Sequence, residues 1–160
     1  MNFVEDFRVP LWLFNGHLQT IWPATVGKKH LRREVRPSYF REKWKTPDND
    51  FIEIDFNQNF YKERNPIVVL FHGLEGSSSS YYSLAFYQAC KELKFSLSIP
   101  HFRGCSGLPN ELPRSYHAGD SEEINWILEK YSKMCAEQNR ELYVFGVSLG
   151  GNALLHWAGT

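Results

Sequence analysis

The sequence predicts an α/β domain whose mostly parallel sheet is covered by helices on both faces. Three observations predict it. Short apolar strands are read at 67–71, 95–99 and 142–145, the first an unbroken Ile-Val-Val-Leu-Phe run of the kind buried on both sides. Segments of helical period alternate with these strands, and that alternation requires parallel strands joined by crossovers. Finally, a Gly-x-Ser-x-Gly string at 146–150 lies between the last strand and the last helix.

The elements follow in chain order. The first fifty residues, rich in Pro, Trp and Phe, read as loop. A hairpin then follows: a strand within 38–46, turn chemistry at Pro47-Asp48-Asn49-Asp50, and a strand at 51–56. The period-two alternation of 51–56 predicts a sheet edge with one wet face. After the 67–71 strand comes a Gly/Ser loop from His72 to Ser80. A helix over 81–93 is predicted to bury Tyr82, Ala85, Phe86, Ala89 and Leu93. Pro100 closes the 95–99 strand, and an irregular loop runs to Gly119. Asp120 and Glu123 make a capping-box-like start to a helix whose stripe is Ile124, Ile127, Leu128, Tyr131, Met134 and Cys135. The strand at 142–145 leads into the Gly146–Gly150 turn and a last helix. Two regions result: an aromatic-rich N-terminal segment over 1–36 and an incomplete α/β domain over 37–160.

Composition excludes several functions. Lys plus Arg and Asp plus Glu number 18 each, so nothing resembles the basic stripe of a nucleic-acid binder. The local cluster Lys28, Lys29, Arg32 and Arg33 reads as a solvated loop, with contact to an anionic surface as the alternative. Three cysteines, Cys90, Cys105 and Cys135, do not make a disulfide framework. No His/Cys/Asp spacing matches a metal site. Glu5 and Asp6 stand where a signal peptide would be basic, and the apolar run from Val9 to Phe14 is too short for a membrane span. The expected address is the cytoplasm, with no integral membrane segment. Surface packing is the expectation for Phe3, Phe7, Trp12, Phe14 and Trp22; covering an apolar pocket or touching a membrane are the alternatives.

The Gly146-Val147-Ser148-Leu149-Gly150 string is a nucleophile-elbow pattern. So tight a strand-to-helix turn strains the serine backbone and needs small residues two before and two after it. The hydroxyl then projects at a helix N-terminus, where the dipole favours developing negative charge. His72-Gly73-Leu74-Glu75-Gly76 follows the first buried strand, where this kind of site takes one oxyanion amide. The predicted donors are the backbone N–H groups of Leu74 and Leu149. His72 itself reads as a brace between loops. Asp120 reads as a helix cap, and Arg103 either as a brace of the oxyanion loop or as a surface arginine. Of the other histidines, His156 lies too far along its helix from Ser148 to be a base, and His101 is the better outside candidate.

Four blocks carry a family resemblance. They are Asn15-Gly16-His17-Leu18-Gln19-Thr20-Ile21; His72-Gly73-Leu74-Glu75-Gly76-Ser77-Ser78; Phe102-Arg103-Gly104-Cys105-Ser106-Gly107 with Arg114-Ser115-Tyr116-His117-Ala118-Gly119; and Gly146-Val147-Ser148-Leu149-Gly150-Gly151-Asn152. They resemble the YheT-like branch of the α/β-hydrolases, which includes eukaryotic abhydrolase-domain proteins. The resemblance implies a serine hydrolase for carboxylic esters, with acyl or lipid esters as substrates and no cofactor. Its triad runs Ser, Asp, His along the chain, and only the serine maps here, as Ser148. Twelve residues follow Ser148, so the acid, the base and the C-terminal strands of the fold are expected to be missing from this sequence. Self-association through the sheet edge so opened is a further expectation. The rival functions are a non-catalytic acyl-binding module and an interaction fragment.

Overall fold

The computed structural model describes residues 8–58, 60–62 and 64–160. Phe3, Glu5, Asp6 and Phe7 therefore lie outside the described residues. Five strands, β1 (Tyr39–Lys45), β2 (Phe51–Asn57), β3 (Ile67–Phe71), β4 (Ser96–Pro100) and β5 (Leu142–Gly146), form one sheet in the order β1-β2-β4-β3-β5. The β1–β2 hairpin is antiparallel, as is the β2–β4 pairing, while β4, β3 and β5 run parallel. Parallel neighbours need crossovers, and these are α3 (Tyr81–Glu92) and α4 (Ser121–Gln138). Helix α5 (Leu149–Ala158) follows β5.

Side-chain alternation along β3 sorts the core into two layers. Ile67, Val69 and Phe71 face the layer that holds Ile124, Ile127, Leu128 and Tyr131 of α4 and Ala153 of α5. Val68 and Leu70 face the opposite layer with Tyr87 and Cys90 of α3 and Val35. The sheet thus has helices on both faces, as predicted.

Four expectations need correction. The first fifty residues are not all loop: α1 (Gly16–Trp22), a π-helical turn (Pro23–Gly27) and α2 (Lys28–Val35) form a continuous helical arm. Asn15 caps α1 by accepting from the Leu18 N–H at 2.9 Å, and Pro23, which has no N–H to donate, stands where the helix passes into its π-helical turn. Gly27 lets the arm pass the Trp22 ring, which would lie 2.6 Å from a Cβ there. The basic cluster Lys28, Lys29, Arg32 and Arg33 is therefore helical.

The second correction concerns β2, which is buried along its whole length. It lies between β1 and β4, so its polar face is covered. Buried Asp55 accepts two bonds from Arg41, at 2.6 and 2.8 Å, and others from His101 and Ser78. Burial alone would raise the Asp55 carboxyl, but these donors outweigh it and hold it below the usual carboxylate range.

Third, α3 is rotated from its predicted phase. It buries Ser83, Leu84, Tyr87 and Cys90, whereas Ala85, Ala89 and Leu93 are exposed. Phe86 packs edge-to-face on Phe145 of β5 at 5.1 Å, so this second apolar stripe looks toward the side of the sheet that β5 ends. Strand β5 itself is not doubly buried. Tyr143 and Phe145 are exposed, and among the described residues its outer edge has no partner strand.

Fourth, Arg103 neither braces the loop at 72–76 nor sits on the surface. Its buried guanidinium bonds Asp48, Asp50 and, at 2.6 Å, Glu123. It clamps the β1–β2 turn to the first turn of α4. Asp120 caps that helix as predicted, accepting from the Glu123 N–H, while the Glu123 side chain turns to Arg103 instead of closing the capping box.

Candidate active site

The elbow is built by two close approaches of backbone. A Cβ at Gly146 would lie 2.6 Å from Gly150 O and from Gly151 Cα. One at Gly150 would lie 2.5 Å from both Phe71 O and His72 O. Helix α5 is thereby pressed against the ends of β5 and β3. Val147 N–H donates to Phe71 O at 3.0 Å and locks the turn to the central strand. Between these contacts Ser148 takes φ 53° and ψ −115°, a region costly for any residue with a Cβ. Its side chain is exposed at the N-terminus of α5, and no side chain among the described residues hydrogen-bonds its hydroxyl.

The loop after β3 comes directly alongside. A Cβ at Gly73 would lie 3.3 Å from Ser148 Cβ, so only glycine lets the loop approach without pressing on the serine. Leu74 is exposed. The N–H groups flanking it are taken: Gly73 N–H donates to the Tyr82 hydroxyl at 3.0 Å and Glu75 N–H to the Tyr116 hydroxyl at 3.1 Å. Among the described residues, the N–H groups of Leu74 and Leu149 have no protein acceptor. The structure thus brings Ser148, Leu149 and the Leu74 loop together at the C-terminal end of the parallel strands.

The histidines fall elsewhere. His72 is fully buried, donates from Nδ1 to Gly73 O at 2.7 Å, and accepts the Phe102 N–H at Nε2 at 3.0 Å. Both ring nitrogens are engaged, and the ring joins the loop after β3 to the loop after β4. His101 is also buried, with Nε2 on Asp55 at 2.9 Å and Nδ1 on Cys105 O at 3.3 Å, which leaves neither nitrogen for Ser148. His156 is exposed on α5.

Burial pushes the His72 imidazole down to about 4 from an ordinary 6.5. The unfolded chain therefore binds this proton more readily than the folded one between those values. The stability that neutral His72 contributes is complete above about pH 6.5 and is lost as the pH falls toward 4, on the order of 3 kcal/mol. In urea titrations across that window, the wild type is expected to lose more stability than His72→Asn. Parallel pH profiles for the two proteins would contradict this role.

Three contributors escaped the sequence reading. Periodicity puts Tyr82 in a helix stripe, yet its hydroxyl supports Gly73. Tyr116 stacks on Phe102 at 5.2 Å and holds Glu75, which takes φ 51°. Asn152 donates to Ala118 O at 2.9 Å and ties α5 to the loop before α4. Tyr116 and Asn152 fall within the blocks of family resemblance, which was the only signal available for them.

No family model matches the chain. It is 35% identical over 141 residues to YheT of Escherichia coli (strain K12), covering 88% of this chain and 39% of that protein. It is 30% identical to an abhydrolase domain-containing protein of Dictyostelium discoideum, covering 94% of this chain and 38% of that protein. In fold it matches the Pyrococcus furiosus esterase Pf2001 with a TM-score of 0.55 at 17% identity, over 76% of this chain and 46% of that one. The chain thus spans about two fifths of the length of these curated relatives.

Proposed function

Because this chain belongs to the α/β-hydrolase superfamily, we propose that it carries the nucleophile and oxyanion hole of a serine hydrolase for carboxylic, acyl or lipid, esters. One observation carries the reading: a strained, exposed serine at a helix N-terminus is accompanied by two backbone N–H groups, of Leu74 and Leu149, with no protein acceptor among the described residues. Positive φ at a residue with a Cβ is retained where the surrounding structure gains something from it.

In the proposed reaction Ser148 Oγ attacks the ester carbonyl carbon. The Leu74 and Leu149 N–H groups stabilise the oxyanion of the tetrahedral intermediate. A base, which the family resemblance puts after the serine and outside this sequence, takes the Oγ proton and passes it to the leaving alcohol. Water then attacks the acyl-serine and releases the acid.

A fluorophosphonate ester tests the assignment. In a protein extended to the length of the curated relatives, one phosphonyl group is expected on Ser148, with loss of fluoride, and none in Ser148→Ala. A folded extended protein that stays unlabelled would favour an acyl-binding module. The edge of β5, without a partner strand among the described residues and with Tyr143 and Phe145 exposed, favours a second reading of the chain alone as a self-associating fragment. Light scattering over a concentration series separates a monomer from that fragment.

A further inference from the structure

The helical arm before β1, together with residues 8–15 that lead into it, combines two features that a folded surface seldom shows together. The first is apolar exposure. Leu11 is 96% exposed, Phe14 79%, Ile21 57% and Val26 58%, with Trp12 half-exposed beside them. So many bulky apolar groups exposed within one short stretch mark an interaction surface. The second is charge. Arg8, Lys28, Lys29, Arg32 and Arg33 are all positive, and no Asp or Glu occurs from Arg8 to Arg33. Among the described residues none of the five is paired with a carboxylate. The chain as a whole has no net charge, and the carboxylate within α2, Glu34, is turned to His30 at 3.1 Å.

The arm is fixed in place. Leu13, between exposed neighbours in the sequence, is buried, and Gln19 donates to Leu13 O at 3.0 Å. Trp12 meets Trp22 edge-to-face at 4.8 Å. Leu31 and Val35 of α2 join the core layer of α3. What remains outward on this anchored scaffold is apolar bulk and unpaired cations.

We propose that this arm is a membrane-surface contact that lies on an anionic lipid bilayer. Leucine and phenylalanine enter the headgroup–acyl boundary, tryptophan favours that interface, and the cations meet lipid phosphates. The arm lies on the bilayer and does not span it, since among the described residues no helix is long and apolar enough to cross a membrane. Charge disfavours a second copy as the occupant: a two-fold pairing through this patch would set like charges against one another. The inference is independent of Ser148 chemistry and stands or falls separately.

Vesicle flotation tests it, using phosphatidylcholine alone or with roughly a third phosphatidylglycerol. Each basic side chain near an anionic surface strengthens binding roughly fivefold, so Lys28→Ala with Lys29→Ala is expected to weaken it about 30-fold. Leu11→Ser with Phe14→Ser is expected to abolish flotation. Leu11, Phe14 and Lys29 are exposed and Lys28 is half-buried without an ion pair, so thermal melting should change little; should a variant misfold, the wild type still has to release from anionic vesicles as salt is raised. Equal binding to both vesicle types, salt-indifferent binding or no flotation would overturn the proposal. So would a dimer, dispersed by Leu11→Ser with Phe14→Ser, that excludes vesicles, or an extended protein in which the patch no longer binds.

Discussion

Gly150→Val is expected to shift the unfolding transition far toward lower urea, whereas Ser148→Ala leaves it nearly unmoved. A Cβ at position 150 would meet Phe71 O and His72 O at 2.5 Å and Phe71 C at 2.8 Å, all backbone atoms of the strand at the centre of the parallel part of the sheet. No side-chain rotation relieves that overlap. Either α5 lifts off or β3 shifts against β4 and β5, at a cost of about 4 kcal/mol or more. A small domain has only about 5–15 kcal/mol in total. Ser148→Ala removes an exposed hydroxyl that no side chain holds, and should change stability by less than about 0.5 kcal/mol. Ser148→Gly should stabilise by about 1–2 kcal/mol, because glycine accepts φ 53° without a Cβ clash. Urea denaturation of the three variants checks the order. A larger loss for Ser148→Ala than for Gly150→Val would make Ser148 a structural residue.

The second large effect is on turnover. A serine hydroxyl without an adjacent base is a weak nucleophile at neutral pH. Here both ring nitrogens of His72 and of His101 are engaged away from the serine, and His156 is exposed on α5. The 160-residue chain is therefore expected to hydrolyse p-nitrophenyl acetate no faster than its Ser148→Ala variant. A protein extended to the length of the relatives is expected to turn over, and Ser148→Ala in it should lower kcat by at least about 10³-fold. Serine-dependent hydrolysis by the short chain would show that a base is already present, and single alanine replacements of His72 and His101 would locate it.

The elbow was legible because its requirements are local. Glycines at 146 and 150 around a serine, bounded by a strand and a helix, follow from the geometry of one tight turn, and the structure shows the backbone contacts that demand them. The cap at Asp120 was legible for the same reason, since an N-cap bond spans three residues. Residues acting at long range were harder to read. Tyr82 serves Gly73 nine residues away and Tyr116 serves Glu75 across 41, so neither periodicity nor turn chemistry pointed to them.

Order and type of the elements from β1 onward, the parallel core of the sheet and the position of the tight turn at Ser148 were thus determined by the sequence itself. Each rests on hydrophobic period, glycine placement or a short-range hydrogen bond. Tertiary structure alone decided which of two apolar stripes α3 buries, because the choice depends on what lies across the sheet from Phe86 and Leu84. It likewise decided that the polar face of β2 is dry: alternation marks two unlike faces, but only the neighbours on either side determine whether the polar one meets water or Arg41, Ser78 and His101. Arg103 was settled in the same way, its charge buried because three carboxylates from two distant segments converge on it.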